Sequence, residues 1–183
     1  MERILYTRKD GGVSICVPSP SCVRWMSSGG RWDDRERGFI EAQIERSVQD
    51  GIPEWVADKF VRAMAFGGCT EAEAFALIRD RDCHDGFAHE IVTDLPDRWF
   101  RDAWRRSHNG GPITIDIEEA RKIQFHKIKR AVDRENAARE RDLYGEPSIV
   151  DWGLIKSRIK KAGDEADIKK VWPSGFENLW GTS

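Results

Sequence analysis

The side chains able to do chemistry are few and scattered. Cys83, His84 and His89 form the closest grouping. A thiol beside an imidazole has the makings of a nucleophile and its base, and with a fourth ligand the three would suit zinc. Adjacent side chains rarely face each other in the geometry such catalysis needs, no CxxC pair exists, and two prolines lie between Cys16 and Cys22. The other histidines, His108 and His126, stand apart. There is no G-x-S-x-G or phosphate-loop pattern, and Gly29-Gly30, Gly67-Gly68 and Gly110-Gly111 each lack the lysine or helix context that cradles phosphate. The expectation is a non-enzyme with no cofactor and no metal, whose four cysteines are free thiols.

Surface chemistry is better represented. Leu95 to Trp104 reads LPDRWFRDAW, which sets Trp99, Phe100 and Trp104 among Arg98 and Arg101. Tryptophan and arginine dominate binding hot spots because they join large area to directional contacts, so these five are interface candidates. The competing reading wedges Trp99 and Trp104 onto a small sheet and leaves the arginines reaching outward. A basic helix follows, in which Lys122, His126, Lys127, Lys129, Arg130 and Arg134 mostly fall opposite an apolar stripe, with Lys122, Lys129 and Arg130 as the interface candidates. That face suits phosphate tracking and steep salt dependence, or it is a solvated face whose charges pair with Asp133, Glu135 and Glu140.

The elements that must position these residues follow from periodicity and turn chemistry. Arg3 to Thr7 and Val13 to Val17 are β-rich runs around Asp10-Gly11-Gly12, which predicts an N-terminal hairpin. Ser19 to Gly30 reads as loop, with one turn of helix at Val23, Trp25 and Met26. Three short helices follow: one from Asp33 to Gly51, one from Pro53 to Gly67, and one opened by the capping box Thr70-Glu71-Ala72-Glu73. The last is too acidic to lie in a DNA groove. Phe87 to Thr93 is a strand, Pro96 to Arg106 a short helix and Ile113 to Ile117 a strand. Asp116 caps a long helix whose stripe is Ile117, Ala120, Phe125, Ile128, Ala131 and Val132. Helices at Ile149 to Lys161 and Ala166 to Val171 complete the chain, with Phe176, Leu179 and Trp180 as a closing hydrophobic hook.

Together these predict an α+β fold in which a small antiparallel sheet, with all strands beside the N-terminal hairpin, is interrupted by an inserted three-helix subdomain. The expected division is 1–116, a mixed domain with its helical insert at 33–82, and 117–183, a helical C-terminal region. A chain of 183 residues with eight Trp and 39% hydrophobic content can bury a real core. No run approaches the 18 or more apolar residues of a membrane span, and residues 1–10 are charged where a signal peptide needs an apolar core. The net charge of −2 hides a polarity: residues 1–96 carry −5, residues 97–161 carry +5 and residues 162–183 carry −2. Such a chain can orient itself on an acidic partner, protein or nucleic acid.

The order of the parts resembles a diffuse group of small phage and prophage proteins. Their pattern is an N-terminal YxRxDGGVSV hairpin, an LPDRxFRxAW segment, an xIxxDxxxAR opening to a basic helix, and a C-terminal helix ending near WP. The matching pieces are Leu5 to Ile15, Leu95 to Trp104, Ile113 to Arg121 and Ile168 to Pro173. Lys9 stands where an acidic residue or proline is more usual, and the helical insert is absent from the shorter members. The resemblance implies a tail, neck or tail-fibre assembly role in the bacterial host cytoplasm or the virion. It also implies other phage structural proteins as partners, with self-association open. It implies no active site and no membrane. The alternative is a nucleic-acid-associated, host-takeover or anti-defence regulator using the basic helix.

Overall fold

The computed structural model describes residues 2–33, 36–141 and 146–176. It has an α+β architecture divided into two compact units. The first holds the chain up to Leu95 together with Arg106–Pro112; the second holds Pro96–Arg105 and the chain from Ile113 onward. This division differs from the expected break after residue 116. Phe100 and Ala103 are buried in one apolar cluster with Ala120 and Ile168, and Asp116 N–H donates to the Ala103 carbonyl at 2.8 Å, so residues 96–105 pack with the helices that follow them.

In the first unit, β1 (Arg3–Thr7) and β2 (Val13–Cys16) form the expected antiparallel hairpin, with Leu5 opposite Ile15. Gly11 takes φ +78°, and the Asp10 carboxylate accepts from Gly12 N–H at 2.8 Å, which closes the turn. β3 (Phe87–Val92) pairs antiparallel with the other edge of β1, giving the order β2-β1-β3.

Four helices lie between β2 and β3: α1 (Pro20–Ser28), α2 (Arg37–Gln49), α3 (Glu54–Phe66) and α4 (Glu71–Asp82). The first occupies the stretch expected to be loop. Pro20 sits at the first helical turn, where its fixed φ and missing N–H cost nothing, and Met26 is fully buried among Ile4, Phe60, Met64 and Phe75. Thr70 and Glu73 form the reciprocal capping box that opens α4.

The two glycine pairs have a shared structural task. Gly30 and Arg31 N–H donate to the Ala65 and Met64 carbonyls at the end of α3, while Gly68 and Cys69 N–H donate to the Ser27 and Met26 carbonyls at the end of α1. Each helix thus satisfies the orphan carbonyls of the other. A Cβ on Gly29 would come within 2.7 Å of the Phe66 carbonyl carbon, and one on Gly67 within 2.6 Å of that of Ser28.

The second hairpin, β4 (Trp104–Ser107) and β5 (Gly110–Ile115), forms a separate two-stranded sheet. This corrects the expectation of one sheet. Both edges of β1 are taken by β2 and β3, which leaves no edge of β1 for a further strand. The expected helix at 96–106 is only a 3-10 turn, Arg98–Ala103, because Trp104 has already turned to extended geometry at φ −65°, ψ 133°.

The tip of this hairpin is anchored within the first unit by Arg106, whose side chain is 4% exposed. Its guanidinium donates to the Gly111 carbonyl at 2.8 Å and the Ala88 carbonyl at 2.9 Å, and pairs with Glu90. Ala88 carries a positive φ of 49°, at the irregular stretch of the β1–β3 ladder. Arg106 therefore holds a strained residue in place.

The second unit is helical. α5 (Ile117–Arg141) opens on Asp116, whose carboxylate accepts from Glu119 N–H at 3.1 Å, and buries Ala120, Gln124, Ile128, Ala131 and Val132. α6 (Trp152–Lys161) and α7 (Glu165–Lys169) begin at the caps Asp151 and Asp164. Val171, Trp172 and Phe176 close the core over Ile128, Ile155 and Ile159. Phe176 thus docks as expected of the hook, while Leu179 and Trp180 lie outside the described residues. Among the described residues no helix is long and apolar enough to cross a membrane.

Replacing Arg106 by Met leaves the Ala88 and Gly111 carbonyls without their donor, and should lower unfolding free energy in urea by about 2–4 kcal/mol. Arg106→Lys should recover less than half of that, because an ammonium cannot reproduce the fork that reaches three acceptors.

Candidate functional site

The thiol and imidazole grouping does not assemble. Cys83 is buried, and the His89 ring nitrogen meets the Cys83 backbone carbonyl at 2.8 Å while the ring stacks on Tyr6. His84 turns to the Arg81 carbonyl at 3.1 Å. Burial, with Cys16 as the next influence, pushes the Cys83 thiol up to about 12, which removes its nucleophilic form at neutral pH. Burial raises the Cys16, Cys22 and Cys69 thiols as well. No group of three or more His, Cys, Asp or Glu side chains that could hold a metal occurs among the described residues.

The interface candidates separate into distinct environments. Trp104 is fully buried and presents no surface, and Phe100 is buried. Arg98 and Arg101 are exposed. On α5, Lys122 bonds to Glu119 at 3.1 Å, and Lys129 and Arg130 are exposed. Lys127, expected from the sequence on the same basic face, leaves it: its Nζ lies 3.9 Å from the Trp99 ring centroid. The +5 segment therefore does not present all its cations to solvent together.

Trp99 is the member that organises a site. Its indole N–H donates to Gln124 Oε1 at 2.9 Å. The Gln124 amide nitrogen in turn donates to the Val171 carbonyl at 3.0 Å and reaches the Lys169 carbonyl at 3.4 Å. Gln124 has no exposed surface. A buried primary amide is costly unless its groups are paired, and here both the oxygen and the nitrogen are used. Trp172 meets Trp99 edge to face at 6.3 Å between centroids and donates its own indole N–H to the Lys169 carbonyl at 3.0 Å.

Two cations complete the Trp99 surroundings. Lys169 Nζ lies 4.9 Å from the ring centroid and pairs with Asp97, whose carboxylate also caps the 3-10 turn by accepting from Trp99 N–H at 2.9 Å. The Lys169 hydrogen bond, then the Trp99 N–H, hold the Asp97 carboxyl below its ordinary range. Desolvation, then the nearby Lys169 charge, pull Lys127 below the usual ammonium value. The cations are stabilised by the electron-rich ring face, which is worth about 0.5–2 kcal/mol each depending on desolvation.

This aromatic corner opens into a cleft of about 1090 Å³ that lies wholly within the second unit. Trp99, Phe100, Ile117 and Trp172 supply its apolar lining. Ile113, Thr114 and Ile115 of β5 line one side, and Asp164, Glu165 and Ala166 at the start of α7 contribute another stretch. Lys169 and Lys170 are also at the cleft; the first is paired with Asp97 and the second with Asp167 at 3.2 Å. An apolar lining with a few charged groups at its rim is the chemistry of a binding recess.

The sequence pointed to Trp99 and Phe100 but not to Gln124, Lys127, Lys169 or Trp172 as their companions. Gln124 did carry a signal: it lies four residues after Ala120 and four before Ile128, inside the apolar stripe of α5.

Gln124→Leu should cost about 2–4 kcal/mol in chemical denaturation, since it strands the Trp99 indole N–H and the Val171 carbonyl in the interior, while the Lys169 carbonyl keeps the Trp172 N–H. A blue-shifted or newly heterogeneous tryptophan emission should accompany the loss. In a second experiment, urea unfolding followed between the free thiol value of 9.0 and about 12 should show stability falling with pH, because only the unfolded chain ionises Cys83 in that window. Cys83→Ala should flatten that part of the slope. Comparison with protein-family models, curated proteins and solved structures brings no match.

Proposed function

We propose that this chain is a non-catalytic binding component, acting through protein–protein contact in a phage or prophage assembly of the tail or neck kind. The observation that carries the binding role is the cleft built on Trp99 and Trp172: a preformed apolar recess whose charges are already arranged around it. Tryptophans held by hydrogen bonds at their N–H groups lose little freedom when a partner covers them, which favours binding. The assembly setting is supported by the resemblance at the LPDRxFRxAW segment and at the Trp172-Pro173 landmark; Trp99, at the variable position of the first, and Trp172 of the second meet at the cleft. The raised thiols and dispersed histidines support the absence of a bond-making role.

The test is genetic and structural together. Deleting the gene from the phage or prophage that carries it should stop particle assembly at an incomplete tail or neck, visible by electron microscopy. Ala166→Arg fills the cleft from an exposed position on α7 and should fold normally by circular dichroism yet fail to restore particles. Normal particle yield from the deletion strain, or full rescue by Ala166→Arg, would remove the proposal.

A further inference from the structure

We infer that the occupant of this cleft is an extended segment of a partner protein that pairs as a strand along the open edge of β5, with apolar residues at alternate positions and a basic residue facing Glu165. The inference rests on the docking role proposed above and specifies its partner.

Three observations combine. The first is that β5 has one ladder partner, β4, and its other edge is unpaired among the described residues. Unpaired strand edges present N–H and C=O groups that a further strand can satisfy. The second concerns which residues line the cleft. The face of a strand contributes every second residue, yet Ile113, Thr114 and Ile115 all line it, so the cleft runs along the edge of β5 and not over one face. A strand laid there would bond to β5 and turn alternate side chains onto the aromatic floor of Trp99, Phe100 and Trp172.

The third is charge. Of the cleft's ionised groups, Lys169 is satisfied by Asp97 and Lys170 by Asp167, while the Asp164 carboxylate caps α7 by accepting from Asp167 N–H at 2.8 Å. Glu165 is exposed beside them with no ion-pair partner among the described residues. The uncompensated charge of the cleft is thus negative, which favours lysine or arginine on the incoming strand. A helical or acidic occupant would leave the β5 edge unpaired or set like charges together.

The decisive probe is a fluorescein-labelled peptide, Arg-Val-Thr-Val-Thr-Val-Arg, titrated with the full chain by fluorescence anisotropy. An arginine at each end lets either strand direction reach Glu165. Two N-methylated versions, each blocking the N–H groups of one edge, separate main-chain pairing from simple apolar contact. Saturable binding is expected, weakened about tenfold by one methylation pattern and left within about twofold by the other. Replacing both arginines by glutamate should weaken it about tenfold, and Glu165→Lys in the protein should invert that preference.

No saturable binding, or equal loss with both methylation patterns, would overturn the strand-pairing occupant. So would failure of Glu165→Lys to change the charge preference. A concentration-dependent dimer abolished by Ala166→Arg, with no peptide bound, would also overturn it, by assigning the edge to a second copy of this chain. Particles that require the protein while the peptides are ignored would leave the docking role standing and remove only this occupant.

Discussion

The buried amide of Gln124 joins three stretches of the chain: the 3-10 turn through the Trp99 indole, α5 itself, and the segment from Lys169, the last residue of α7, to Val171. A hydrogen bond here contributes about 1 kcal/mol net, but its loss leaves a donor or acceptor in a dry interior, and that penalty is larger. The arrangement is therefore less a source of stability than a constraint on geometry. With the amide in place Trp99 has one orientation, Trp172 meets it edge to face, and the cleft between them has a defined floor.

Charge in the second unit follows from the same constraint. Lys127 and Lys169 are drawn to the Trp99 ring, and Asp97 is drawn to Lys169, so part of the positive segment is consumed in holding the aromatic corner. Lys122 is paired along its helix. A linear count of charge treats these groups as equally free, whereas packing divides them into structural cations and solvated ones.

Local patterns were the legible part of the sequence. The Asp10-Gly11-Gly12 turn, the Thr70–Glu73 box and the Asp116 cap depend on residues within a few positions of one another, and each occurs where the local chemistry places it. What depended on distant partners was not legible. The Gly29-Gly30 and Gly67-Gly68 pairs look like loop punctuation until two helix ends meet and exchange hydrogen bonds. The stretch 19–30 looked like loop because Pro20, its serines and the closing glycines mask a helix secured by the burial of Met26. Trp99 was visible as a binding residue type, but its partners lie 25 to 73 positions away along the chain, beyond the reach of any periodic pattern.

The β4–β5 hairpin has its base in the second unit and its tip, Arg106–Pro112, in the first. The chain therefore passes between the units at three points, and no single scission separates them into intact halves. A fragment ending at Leu95 would lack the guanidinium that holds the Ala88 carbonyl. During synthesis the Arg106 bonds to Ala88 and Glu90 form only once Arg106 itself has emerged, later than every strand that β1 pairs with.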